Sequence, residues 1–141
     1  MAKAAAAAYR LQPENVVCAN NYAATLLVQR DRPEQAVSLT LQILNRFPDS
    51  NGAKINHALA LLLNLRTAEA EAVLESVVPE KLSGEEASSF YLGRFELCFN
   101  QQQYDRAWEA SDRITAKHLF PNQLKWLEEM RQRLPRRTAA K

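Results

Sequence analysis

Apolar residues recur along this chain at intervals of three and four, the period of a helix with one buried face. Ala36, Leu39, Ile43 and Leu44 form one such stripe. Leu124, Leu127, Met130 and Leu134 form another. Prolines and capping residues divide the stripes. The pattern predicts helices over 2–11, 15–30, 33–47, 52–65, 68–78, 84–100, 104–117 and 121–134. Pro13, Pro79 and Pro135 end helices because proline has no amide proton to donate and pushes its predecessor into extended geometry. Pro33 and Pro121 sit where a first turn tolerates proline. Asp49 or Ser50 is placed to cap the fourth helix, Thr67 the fifth, and Ser83 with Glu86 forms an S-x-x-E capping box for the sixth. The stretch from Gly52 to Leu65, with Ile55 and Ala58 to Leu63, is apolar nearly all round, which predicts a helix covered on both sides. No alternating strand pattern occurs. Residues 136–141 read as a frayed tail.

The helices also repeat as pairs. Ala36, Ala70 and Ala107 occupy the same point in three successive stretches, with spacings of 34 and 37 residues. Periodicity on this scale marks an array in which each unit buries its apolar face against its neighbours. Connections this short predict antiparallel packing within each pair. On Ala24, Leu27, Ala36, Ile43 and Pro48, then Ala58, Leu61, Ala70, Leu74 and Val77, then Leu92-Gly93 and Tyr104-Asp105-Arg106-Ala107, the chain resembles the tetratricopeptide repeat family. The resemblance covers about residues 4 to 134. It implies an all-α fold, an α-α superhelix of antiparallel helix pairs, within one domain over 1–141. Repeats are expected at 15–48, 50–80 and 84–118. The segment 1–13 would end a preceding repeat, 121–134 would cap the array and 135–141 would be tail. The alanine-rich opening reads as a helix caught partway along, so the chain is expected to be a piece of a longer repeat protein. The sequence departs from the family in three ways: no unit carries a tryptophan near the start of its first helix, Pro79 falls early, and the third unit is longer.

Composition narrows function more than fold. The chain has 141 residues, 47% of them hydrophobic and 24% charged, with a formal net charge of +2. That charge is too small to make nucleic acid or a membrane the expected main partner. No run of 18 apolar residues is present, so no membrane span is expected. The only glycines, Gly52, Gly84 and Gly93, cannot build a phosphate-cradling loop. His57 and His118 have no ligand-spaced partners, and Cys18 and Cys98 read as helix-packing residues. Neither catalysis nor a cofactor or metal is expected.

The resemblance instead implies protein–protein interaction, with a peptide or partner held by the first helix of each pair. The residues so implied are Asn20, Asn21 and Thr25 from the first unit, Asn56, Leu59 and Leu63 from the second, and Phe90 and Arg94 from the third. Asparagine amides offer both a donor and an acceptor to a peptide backbone, and Arg94 can grip a carboxylate with two parallel bonds. The alternative in the same class is self-association to a homo-oligomer through the apolar second unit or the N-terminal end. A weaker reading gives the basic tail of Arg131, Arg133, Arg136, Arg137 and Lys141 a contact with nucleic acid or an anionic surface.

Overall fold

Helix formers separated by prolines and caps give eight α-helices in the computed structural model, which describes residues 2–137 and contains no strand among them. The helices are α1 (Ala2–Leu11), α2 (Val16–Gln29), α3 (Pro33–Arg46), α4 (Asn51–Leu63), α5 (Thr67–Glu75), α6 (Gly84–Asn100), α7 (Tyr104–Asp112) and α8 (Pro121–Arg133). Single 3-10 turns at Pro79–Lys81 and Ala116–His118 fill the two longest connections. The chain divides into two compact units, Met1–Val77 and Val78–Lys141.

Local chemistry explains most boundaries. Asn15 caps α2 by accepting from the amides of Val17 and Cys18. Of the two residues expected to cap α4, Ser50 does so, accepting from Ala53 N–H. Ser83 and Glu86 satisfy each other's amides at the start of α6, as the capping box predicts. Two boundaries correct the sequence reading. Thr67 is the first residue of α5 rather than its cap. Arg66 takes the cap position without a side-chain bond and instead pairs with Glu69 at 2.6 Å. Helix α7 stops at Asp112 instead of running to Lys117. There the Ser88 hydroxyl of α6 accepts from Thr115 N–H at 3.1 Å and faces His118 Nδ1 at 3.2 Å, drawing this stretch away from the helix axis. Gly84 leaves room for this ring, since a Cβ there would lie 2.9 Å from His118 Cε1.

The repeat period has a backbone counterpart. Among the described residues the non-glycine positions with positive φ are Arg30, Leu65 and Gln102, one at the turn inside each helix pair. In each turn the left-handed residue donates its amide three residues back, to Leu27, Leu62 and Phe99 respectively. The next residue bonds five back in the second and third turns, Arg66 to Leu61 and Gln103 to Cys98. That is the Schellman pattern, which satisfies carbonyls orphaned at a helix end. Ala36, Ala70 and Ala107 follow as the fourth residue of α3, α5 and α7. Each is buried and bonds the carbonyl of its helix's cap residue, Arg32, Arg66 or Gln103. The 37-residue step combines three changes: α6 is four residues longer than α4 and the connection before it four longer than that before α4, while α5 runs five residues less beyond its alanine than α3 does; the connections into α5 and α7 match.

In the first unit each helix packs on the next in sequence, and α2 also packs on α4. Ala19, Ala23, Ile43 and Ala53 form a buried cluster there, flanked by Tyr9, Leu39, Leu44 and Phe47. In the second unit α6 packs on α7. Leu92, Phe95, Cys98, Ala107 and Ala110 form a core with Leu127 and Leu134, at α8 and just after it. The tail does not begin as free chain. Pro135 O accepts from Trp108 Nε1 at 3.0 Å, and Arg137 lies over the Trp108 ring while gripping both oxygens of Asp112. Lys141 lies outside the described residues.

Candidate functional site

The eight residues implied by the resemblance fall into three groups. Asn20, Asn56 and Thr25 hold the protein itself. Asn20 Nδ2 donates to Ser50 Oγ at 3.3 Å, Asn56 Nδ2 donates to the Asn20 backbone carbonyl at 3.3 Å, and Thr25 Oγ1 donates to Tyr22 O at 2.8 Å. Asn20 and Asn56 are thus brought together in a seam between α2 and α4, where Asn20 Oδ1 is buried without a partner. Leu59 and Phe90 are corrections. Leu59 is 8% exposed and Phe90 1%, so both belong to the interior and neither offers a contact surface. The helical pattern of α4 makes Leu59 one of eight buried positions. Asn21 is exposed, and Leu63 and Arg94 are half-buried.

His57 is also interior, at 7% exposure, and its partner is Thr40 of α3. The Thr40 hydroxyl donates to Ala36 O at 2.8 Å, so it must accept at 3.0 Å from His57 Nδ1, which fixes the tautomer. Burial lowers the His57 pKa from its ordinary 6.5; the nearby Arg66 cation adds to the shift and Glu69 opposes it. This histidine is neutral and structural. Cys98 is buried and Cys18 half-buried, both as free thiols. Among the described residues no group of three or more His, Cys, Asp or Glu side chains could hold a metal ion, and no helix is long and apolar enough to cross a membrane.

A cleft of about 290 Å³ lies in the second unit between α6 and α7. Arg94 and Tyr91 reach it from α6, and Arg106, Glu109 and Arg113 from α7 and its C-cap; Glu80 stands at one end. The spacing explains the convergence. Residues 106, 109, 110 and 113 lie on one face of a helix, as do 90, 94 and 98. Two guanidinium groups rest on aromatic rings: Arg94 lies 5.9 Å from the Phe90 centroid, and Arg113 lies 5.6 Å from that of Tyr91. Phe90 and Tyr91 are themselves set edge to face, 5.2 Å apart. Neither arginine has an ion-pair partner among the described residues. Arg106 is steadied by Gln103 Oε1 at 3.0 Å.

Sequence reasoning found Arg94 and missed Tyr91, Arg106 and Arg113. The available signal was the seven-residue step from Arg106 to Arg113, two turns along one face of α7, but it is visible only once α7 is known to lie beside α6. A shallower apolar hollow in the first unit is lined by Leu44, Pro48, Ala72 and Val73 and carries a single charge, Lys54. No protein-family model matches the chain, and no curated protein and no solved structure is significantly similar to it.

Proposed function

We propose that this chain is a protein–protein interaction module built of three tetratricopeptide-like helix pairs. In this reading the pairs are arranged as an α-α superhelix with α8 as the closing helix. The observation that carries the reading is the recurrence of one turn, with a left-handed residue followed by a buried alanine at the fourth position of the next helix, at Arg30, Leu65 and Gln102. Sequentially stacked units of this kind present long helix surfaces and serve mainly to hold other chains. The contact residues proposed are Asn21, Leu63 and Arg94, with Arg94 as the polar anchor. Asn20 and Asn56 hold α2 against α4, and Thr25 bonds within α2. No residue is assigned a catalytic role.

The test is a selection of random displayed peptides on the immobilised chain, followed by titration of the enriched peptides against wild type and Arg94→Glu. Saturable binding weakened at least tenfold by the charge reversal, about 1.4 kcal/mol, supports the reading. Failure to enrich any peptide, or equal binding to both proteins, counts against it. Self-association is the competing reading within the same class. Because Ile55, Ala58, Leu59, Ala60, Leu61 and Leu62 are all buried, α4 has no apolar strip to spare for a second copy. Sedimentation at high concentration tests self-association through the second unit or the N-terminal end: a monomer counts against it, and a concentration-dependent dimer counts for it.

A further inference from the structure

We infer that the cleft between α6 and α7 binds a phosphorylated side chain on a partner segment, held by Arg94 and Arg113. The inference rests on the interaction reading for the identity of the partner, but the anion site itself can be measured without one. The cleft holds two cations that make no ion pair among the described residues. Arg94 and Arg113 are supported by the faces of Phe90 and Tyr91 instead of by carboxylates. A guanidinium attracted to a ring face needs no carboxylate there, and its N–H groups are left able to bond an oxyanion. Glu109 stands four residues before Arg113, a favourable spacing for a helical ion pair, yet no such pair forms. The tyrosine ring holds the arginine in its place.

Charge and size select the ligand. Arg94, Arg106 and Arg113 face Glu80 and Glu109, so the lining carries a small positive excess, all of it from arginine. A polyanion such as nucleic acid, or a broad anionic membrane, would meet both carboxylates as well as the arginines. A single dianionic group entering a cleft of about 290 Å³ would meet the arginines, while a lysine or arginine beside it in the segment could pair with Glu109 or Glu80. A phosphoryl group offers three acceptor oxygens and nearly two charges, against two oxygens and one charge for a carboxylate. It therefore uses two or three guanidinium groups more fully.

The experiment is an NMR titration of the whole isotope-labelled chain. The probes are a blocked peptide with one phosphoserine beside a lysine, its unphosphorylated twin, the same peptide with glutamate replacing phosphoserine, and inorganic phosphate. The phosphopeptide is expected to bind saturably and at least tenfold more tightly than the other three, shifting the Arg94 and Arg113 Nε–H and Tyr91 ring signals. Arg94→Gln and Arg113→Gln should each weaken it at least tenfold. Arg113 is exposed, so its variant is expected to fold even if the half-buried Arg94 is less tolerant, and thermal melting checks both. Equal binding of the glutamate peptide overturns the phosphoryl assignment. Binding unaffected by Arg113→Gln in a folded protein, or shifts confined to residues away from the cleft, overturns the site, as does tighter binding to phosphatidylserine vesicles or to single-stranded DNA. If the phosphopeptide binds as described while the selection of unphosphorylated peptides yields nothing sensitive to Arg94, the interaction is confined to phosphorylated segments and the anion site stands. The reverse pattern removes the anion site alone.

Discussion

In the first unit one buried cluster sets Ala19, Ala23 and Ala53 around Ile43, and aliphatic side chains such as Leu61, Leu62 and Leu74 fill the rest, whereas the second unit sets Phe95 among Phe99, Tyr104 and Trp126. Small side chains let helix backbones come close, and short polar side chains can then bond from one helix to another. That is what Asn20, Ser50 and Asn56 do between α2 and α4, and Thr40 with His57 between α3 and α4. Large rings in the second unit make edge contacts instead: Phe95 with Trp126 at 5.9 Å and Phe99 with Tyr104 at 5.9 Å. The rings also serve as seats for cations, with Arg94 on Phe90, Arg113 on Tyr91 and Arg137 on Trp108. Both units tie segments together with polar groups, Ser88 to Thr115 in the second, but among the described residues only the second is seen to seat arginines on aromatic rings. The arginine cleft belongs to the second unit, although asparagines favoured the first.

The contrast can be broken by substitution. Phe95→Ala should have the largest effect, a loss of about 3–5 kcal/mol by urea unfolding, because a fully buried ring leaves a cavity its neighbours cannot fill. Ala36→Leu should cost about 1–3 kcal/mol by the opposite mechanism, forcing apart a close approach. If Ala36→Leu is neutral, the tight alanine packing attributed to the first unit is absent.

The Thr40–His57 pair gives a more specific signature. Thr40→Val should cost about 1–3 kcal/mol, since His57 Nδ1–H would be left buried without an acceptor. The folded chain keeps His57 neutral below its ordinary 6.5, where the unfolded chain protonates it, so the unfolded state binds more protons in that window. Stability is then full above about pH 6.5 and falls as pH drops toward the lowered folded value, by at most about 1.4 kcal/mol per pH unit. Glu69 and Asp112 are held below their ordinary 4.5 and 3.8 by hydrogen bonds from Arg66 and Arg137, so they titrate outside this range. Urea unfolding between pH 7.5 and 5.5 should show the slope in wild type and its loss in His57→Gln. The smallest effect expected is at the turns. Leu65→Gly and Gln102→Gly should stabilise by about 1 kcal/mol or less, as relief of the left-handed strain is partly offset by a freer unfolded chain.

Helix existence and order were legible because they depend on local chemistry. Pro33, Pro121, Ser50 and the Ser83–Glu86 box each act within a few residues of their own position. The errors arose where distant residues decide. Helix α7 ends early because Ser88, 27 residues before Thr115, captures its amide. The first tail residues are ordered because Trp108 and Asp112 reach Pro135 and Arg137. At the site, Asn20 and Asn56 looked available because their amides are versatile, but versatility serves internal bonding equally well. Phe90 was chosen for its position in α6; its contribution is to lie beneath Arg94 rather than to meet a ligand. Arg113 could not be found from periodicity because its value comes from Tyr91 on another helix.

The central claim is that one turn is built three times, and backbone NMR reads it directly. Scalar couplings and intraresidue amide–Hα contacts should report positive φ at Arg30, Leu65 and Gln102 and at no other non-glycine position among residues 2–137. Negative φ at any of the three would contradict the account, because the helix pairs would no longer share the turn that makes them equivalent.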